Sequence, residues 1–188
     1  MAERRIQYAK EERTMRRIVT GMAAEGKSVI VSDEEVQPIT ISMAPGVENY
    51  LIWGADETVQ LPTDGSAPTA QGVFPSEGGF RFGAFTVPPV GMGPPADLDM
   101  AAAMAEVNQK LPGMMDVLEM DNPGMHRTDT IDYVVVLSGE ASLELDDGQT
   151  VRLRAGDCVV QNGTRHAWRS TSSAPCVMAF ALVGARRR

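Results

Sequence analysis

The sequence predicts an all-β fold, closed into a barrel or sandwich, with a strand extension at its N-terminal end and one short helix. Three observations predict it. Short β-branched or alternating runs recur from Met15 to Val183, separated by Gly, Pro, Asn, Asp and Ser. The stretch "ASLELDDGQTVRLRAGD" sets Asp-Gly between two alternating runs, the signal of a tight hairpin with positive φ. Only the segment near residues 96–111 has a clear helical composition.

The elements follow in order. Residues 1–14 are charged throughout and are expected to form an arm, mobile or docked on a partner subunit. "MRRIVTGM" and "KSVIVSDEEV" are β-branched runs bounded by Gly and Asp, and read as strands; "ENYLIWGAD" is a third. A loop rich in Pro, Gly, Ser and Thr follows, then the strand "FRFGAFTV" and the breaker "PPVGMGPP". "ADLDMAAAMAEVNQKL" is the helix, with aspartates early and a lysine late. Its expected inner face is Leu98, Ala102, Ala105 and Val107. Six methionines, Met100 to Met125, fall in and after it, and such thioethers can line an adaptable pocket or simply fill gaps. "DYVVVLSGE" is apolar on both faces and reads as a strand buried on both sides. "CVVQ", "RHAWRS" and "CVMAFALV" complete the β set.

The chain has 188 residues, so residues 15–185 are expected to form one domain. The net charge of −8 argues against nucleic acid as a partner, because phosphate binding needs a basic surface. No apolar run is long enough to span a membrane, and the charged start lacks a secretory h-region, so the expected compartment is the cytoplasm. Cys158 and Cys176 form no CxxC pair and are expected to be free, buried thiols.

The chemistry concentrates in "GMHRTDTIDYVVVLSGE", Gly124 to Glu140, and in "NGTRHAW". They hold the only two histidines, His126 and His166. His126 and Asp132 would lie ~20 Å apart on a straight strand, so they can share a site only if the chain turns at Thr128–Thr130. Strand alternation puts His166, Trp168 and Ser170 on one face. Two imidazoles and a carboxylate suit Fe(II), and zinc, manganese or nickel could occupy the same set. Arg127 and Arg165 have the opposite parity and are expected at the surface or in ion pairs.

The segment from Gly124 to Val183 resembles the cupin superfamily, of the single-domain cupin-2 type. His126, Thr128, Asp132 and Gly139 fall at the places of the first cupin motif; Gly156, Asp157, Gly163 and His166 match the second. "HRTDTIDY" and "NGTRHAW" mark a small bacterial and fungal branch of it. The resemblance implies a jelly-roll β-barrel, with residues 124–183 as the motif region. It departs from the pattern at Thr128, which stands where metal-binding cupins place a second histidine, and at Asp132, which replaces a glutamate.

The resemblance implies an enzyme acting on a small organic molecule with one divalent metal (Fe, Zn, Mn or Ni) held by His126, Asp132 and His166. The reaction would be that of a dioxygenase, decarboxylase, isomerase, or lyase or cyclase. The same three residues are the expected catalytic groups. Thr128, Gln161 and Trp168 are the expected substrate-binding residues. Two alternatives stay open: a metal-free binding protein, and a metal-free enzyme in which these groups move protons. A homodimer is expected, since pairing covers exposed strand edges.

Overall fold

A computed structural model describes residues 14–188. The expected arm at 1–14 therefore lies outside the described residues but for its last. The fold is mostly β with one short helix, as the sequence predicts.

Strands β1 (Met15–Met22) and β2 (Ser28–Val36) form a separate antiparallel hairpin, the N-terminal extension. The body is two sheets. The larger combines β3 (Asn49–Ala55), β4 (Phe80–Val87), β5 (Thr130–Ser138), β8 (Cys158–Asn162) and β10 (Cys176–Gly184), in the order β3-β4-β10-β5-β8. The smaller has β6 (Glu140–Glu144) between β7 (Thr150–Arg154) and β9 (Ala167–Ser170). This is the layering expected of a jelly-roll barrel.

Alternation explains the packing. Along β5, Thr130, Asp132, Val134 and Val136 are buried, and along β10 so are Cys176, Met178, Phe180 and Leu182. These meet Ala141 and Leu143 of β6 and Leu153 of β7 between the sheets. Each fully buried large apolar side chain there contributes about 1.5–3 kcal/mol. The turn between β5 and β6 needs Gly139: its φ is +75°, and a Cβ would stand 2.3 Å from the Pro175 carbonyl oxygen.

Three expectations need correction. The strand "DYVVVLSGE" is buried on one face only, because Tyr133 and Leu137 point outward and are half exposed. Cys176 is a buried free thiol, but Cys158 is an exposed one. The helix, α1 (Met100–Lys110), starts later than its composition suggests, because the Asp99 side chain accepts from the Ala102 amide and caps it. Its buried residues are Ala103 and Val107, while Ala102 and Ala105 are exposed. With Leu111 and Val73, Val107 forms a second small core. The "DDGQ" turn is as expected, with Asp147 and Gly148 both at positive φ.

Candidate functional site

The stretch after α1 builds one wall of the site. Residues 114–126 fold back over the barrel end, where Leu118 bridges to His126 and His126 bridges to His166. The two histidines exchange backbone hydrogen bonds of 2.9 Å in both directions. Arg165 fixes this arrangement from outside, donating to both Glu119 carboxylate oxygens at 2.6 Å and to Asp146 at 2.8 Å. Arg165 is thus ion-paired, as its parity suggests.

Backbone pairing brings the imidazoles side by side in a tilted arrangement, with centroids 4.2 Å apart and planes at 49°. Each ring has its Nδ1 against a backbone carbonyl: His126 on Gly124 and His166 on Thr164, both at 3.0 Å. A carbonyl only accepts, so each Nδ1 carries the hydrogen and each Nε2 keeps its lone pair. Burial lowers the pKa of both rings, and the neighbouring His126 lowers that of His166 further, to about 4. Both are therefore neutral at pH 7.

Asp132 enters from β5, on the inward face. Burial raises its pKa, and the hydrogen bond from Thr130 opposes that rise. The Thr130 hydroxyl donates to the carboxylate, and the Thr128 and Thr130 hydroxyls are 2.7 Å apart. Asp132 thus has the partner that a buried carboxylate requires.

His126, His166 and Asp132 line one cavity of about 180 Å³ with an apolar wall. That wall includes Phe74, Phe85, Met114, Leu118, Phe180 and Leu182. Trp168 lines it too, and its ring stands edge-on to His166 at 5.6 Å. Thr128 does not reach the cavity and acts through Thr130. Gln161 pairs across the strands with Asp132, but its amide is turned to Thr164. Of the methionines, Met114 lines the cavity, and no residue of α1 does.

Sequence reasoning missed Asn49, Phe74 and Leu118. They come from distant segments, and no local pattern marks them. The tautomers of the histidines also needed the folded turns.

The donor set tests a metal directly. The two free Nε2 atoms, each with Nδ1 pinned, are arranged as in metal-binding imidazoles. Among the described residues, however, no three His, Cys, Asp or Glu side chains come close enough together to hold an ion. The two Nε2 atoms have the donor chemistry a metal needs, but the trio, with Asp132 held by Thr130, does not come together as placed. No helix of the described residues is long and apolar enough to cross a membrane.

Comparison with known proteins adds to this geometry. The family model described as Cupin domain (Cupin_2) matches residues 114–183. Phomopsin biosynthesis cluster protein C' of Diaporthe leptostromiformis is 56% identical over 48 residues, covering 26% of this chain and 25% of that protein. The cupin-domain-containing oxidoreductase virC of Hypocrea virens is 43% identical over 44 residues, 23% of each chain. These matches span only about a quarter of the length of the curated relatives. Among solved structures, the Cnp3 cupin domain of Schizosaccharomyces pombe aligns with a TM-score of 0.47 and 7% identity, over 90% of this chain and 87% of that one.

Proposed function

From the cupin domain of the Cupin_2 type over residues 114–183, we propose that the chain is an enzyme acting on a small organic molecule inside the barrel. One observation carries the reading. Two neutral imidazoles and a buried carboxyl line a single apolar cavity.

The roles follow from the chemistry. A free Nε2 on His126 or His166 accepts a proton from a substrate hydroxyl or activated carbon. Asp132, with its raised pKa, holds or returns a proton at its carboxyl oxygen. Thr130 orients that carboxyl, and Thr128 orients Thr130. Trp168 and the phenylalanines exclude water and strengthen each polar contact. The name of the Hypocrea virens relative, an oxidoreductase, supports an enzymatic role.

A second reading keeps the cavity and adds one divalent metal, Fe, Zn, Mn or Ni, on His126 and His166, which Asp132 would join as third donor only by turning away from Thr130. The pinned Nδ1 atoms favour it. A bound metal would supply Lewis acidity or redox chemistry. A homodimer belongs to the same proposal, supported by the exposed apolar residues of β1, β2 and the outer face of the large sheet.

The test combines elemental analysis of tag-free protein with turnover of a small-molecule panel by wild type, Asp132→Asn and His166→Gln. Turnover that survives chelation and falls on the order of 10²-fold or more in both variants supports proton transfer. Turnover lost on chelation and restored by one metal supports the second reading. Ligands bound by the wild type with no turnover anywhere would mean a binding protein and contradict the proposal.

A further inference from the structure

The cavity that holds the two histidines has one more polar group, unused by the chemistry above. Asn49 lies opposite Phe85 on neighbouring strands, and both line the cavity. Its backbone bonds to Ile39 in both directions, at 2.8 and 3.0 Å, which fixes this end of β3 beside the cavity. Among the described residues, no hydrogen bond engages the Asn49 carboxamide, and the side chain is only half-buried, so it is open to a ligand entering the cavity. Leu51, Phe74, Phe85 and Phe180 share its wall and offer nothing polar.

The charge of the lining is as informative. Asp132 is its only charged side chain among the described residues; no lysine or arginine lines it. Arg165, next to His166, is committed to Glu119 and Asp146. A ligand carboxylate would enter an apolar cavity with no cation to meet it and a carboxyl already present. Size sets a further limit. An enclosed apolar cavity of about 150 Å³ holds benzene, so the 180 Å³ here seats a single ring with small substituents, and anything larger would extend out through the open side.

Resting on the reading of this cavity as the substrate site, we propose that it selects an uncharged, one-ring molecule with two polar substituents. One substituent meets His126, His166 and Asp132, and the Asn49 carboxamide receives the other. Asn49 is a specificity-determining residue, able to donate to a carbonyl or accept from a hydroxyl. Replacing it with an apolar residue removes that discrimination, because a substrate polar group would then be buried unpaired.

The experiment measures binding by calorimetry at pH 7. The probes are phenol, 4-hydroxybenzaldehyde, 3-hydroxybenzaldehyde and 4-hydroxybenzoate, each against wild type, Asn49→Leu and Asn49→Asp. We expect at least one aldehyde to bind wild type 10-fold or more tightly than phenol and than the carboxylate. Asn49→Leu should bring that aldehyde to within about 3-fold of phenol while leaving phenol unchanged. Asn49→Asp should weaken the carboxylate further. Circular dichroism and melting confirm that the variants fold. Tight binding of 4-hydroxybenzoate would overturn the proposed selectivity and leave the cavity as a small-molecule site. An aldehyde preference untouched by Asn49→Leu would overturn the role of Asn49. Failure of every probe, phenol included, would overturn the reading of the cavity along with the inference.

Discussion

At His166 the site and the stability of the protein are linked through one proton. The folded ring has its pKa lowered to about 4, whereas an unfolded histidine titrates near 6.5. Between those values the unfolded chain binds the extra proton, so stability falls as pH falls through this window. The contribution is fully present above pH ~6.5, amounts to about 3 kcal/mol, and is lost as pH falls through the folded value of about 4. His126 acts in the same direction. Asp132 acts oppositely, since its raised folded pKa makes protonation on acidification favourable. We predict that urea unfolding will show a loss of stability from pH 7 to pH 4.5, and that His166→Gln will flatten most of it. An unchanged slope in that variant would mean His166 is not held neutral by the fold. His126, Asp132, His166 and Trp168 were legible in the sequence through the resemblance to the cupin motifs and the strand parity of Trp168 with His166, since spacing alone leaves many accidental pairs. Asn49 and Phe74 were not, because they meet the histidines only when the barrel closes.

At the scale of the element, the turn between β5 and β6 and the docking of α1 are the most testable. Gly139 combines positive φ with the Pro175 carbonyl at a distance no side chain can share. Gly139→Ala is expected to cost more than the ~1–2 kcal/mol of a left-handed residue alone, seen as a lower urea midpoint. A midpoint within error of wild type would show that the turn relaxes freely. Leu111, almost fully buried against Val73 and Val107, precedes the segment that carries Met114 and Leu118 to the cavity. Leu111→Ala should cost about 2–5 kcal/mol and weaken ligand binding together with stability. Retained affinity would separate α1 from the cavity wall. The helix was legible because its composition and its aspartates are local signals. Its inner face was not, because counting from Leu98 begins the stripe before Asp99 caps the helix; the buried positions are Ala103 and Val107, four residues apart. The outer face of β5 misled for a different reason. Tyr133 and Leu137 are as apolar as the residues opposite them, and sequence alone does not show which face meets the core.

Across the whole molecule, the outer face of the large sheet presents Phe82, Tyr133, Val160 and Val183 to solvent. Tyr133 and Val160 are direct cross-strand neighbours there. Light scattering should return about twice the chain mass of 20.2 kDa, and Tyr133→Glu with Val160→Glu should halve it. A wild-type mass of one chain would remove the homodimer from the account. The barrel itself was legible from alternation and turn residues. The size and charge of its cavity were not, since both follow from how two sheets and the 114–126 segment close together. On this reading a neutral imidazole pair, each ring with a free Nε2, faces ligand in that cavity. Long-range proton–nitrogen NMR of the two histidines tests it most directly, and with only two in the chain assignment takes one variant. The expected result is Nδ1–H tautomers for both rings at pH 7, midpoints below 6.5, and Nε2 signals that both move when phenol is added. Rings that titrate like free imidazole, carry the hydrogen on Nε2, or ignore phenol would contradict it.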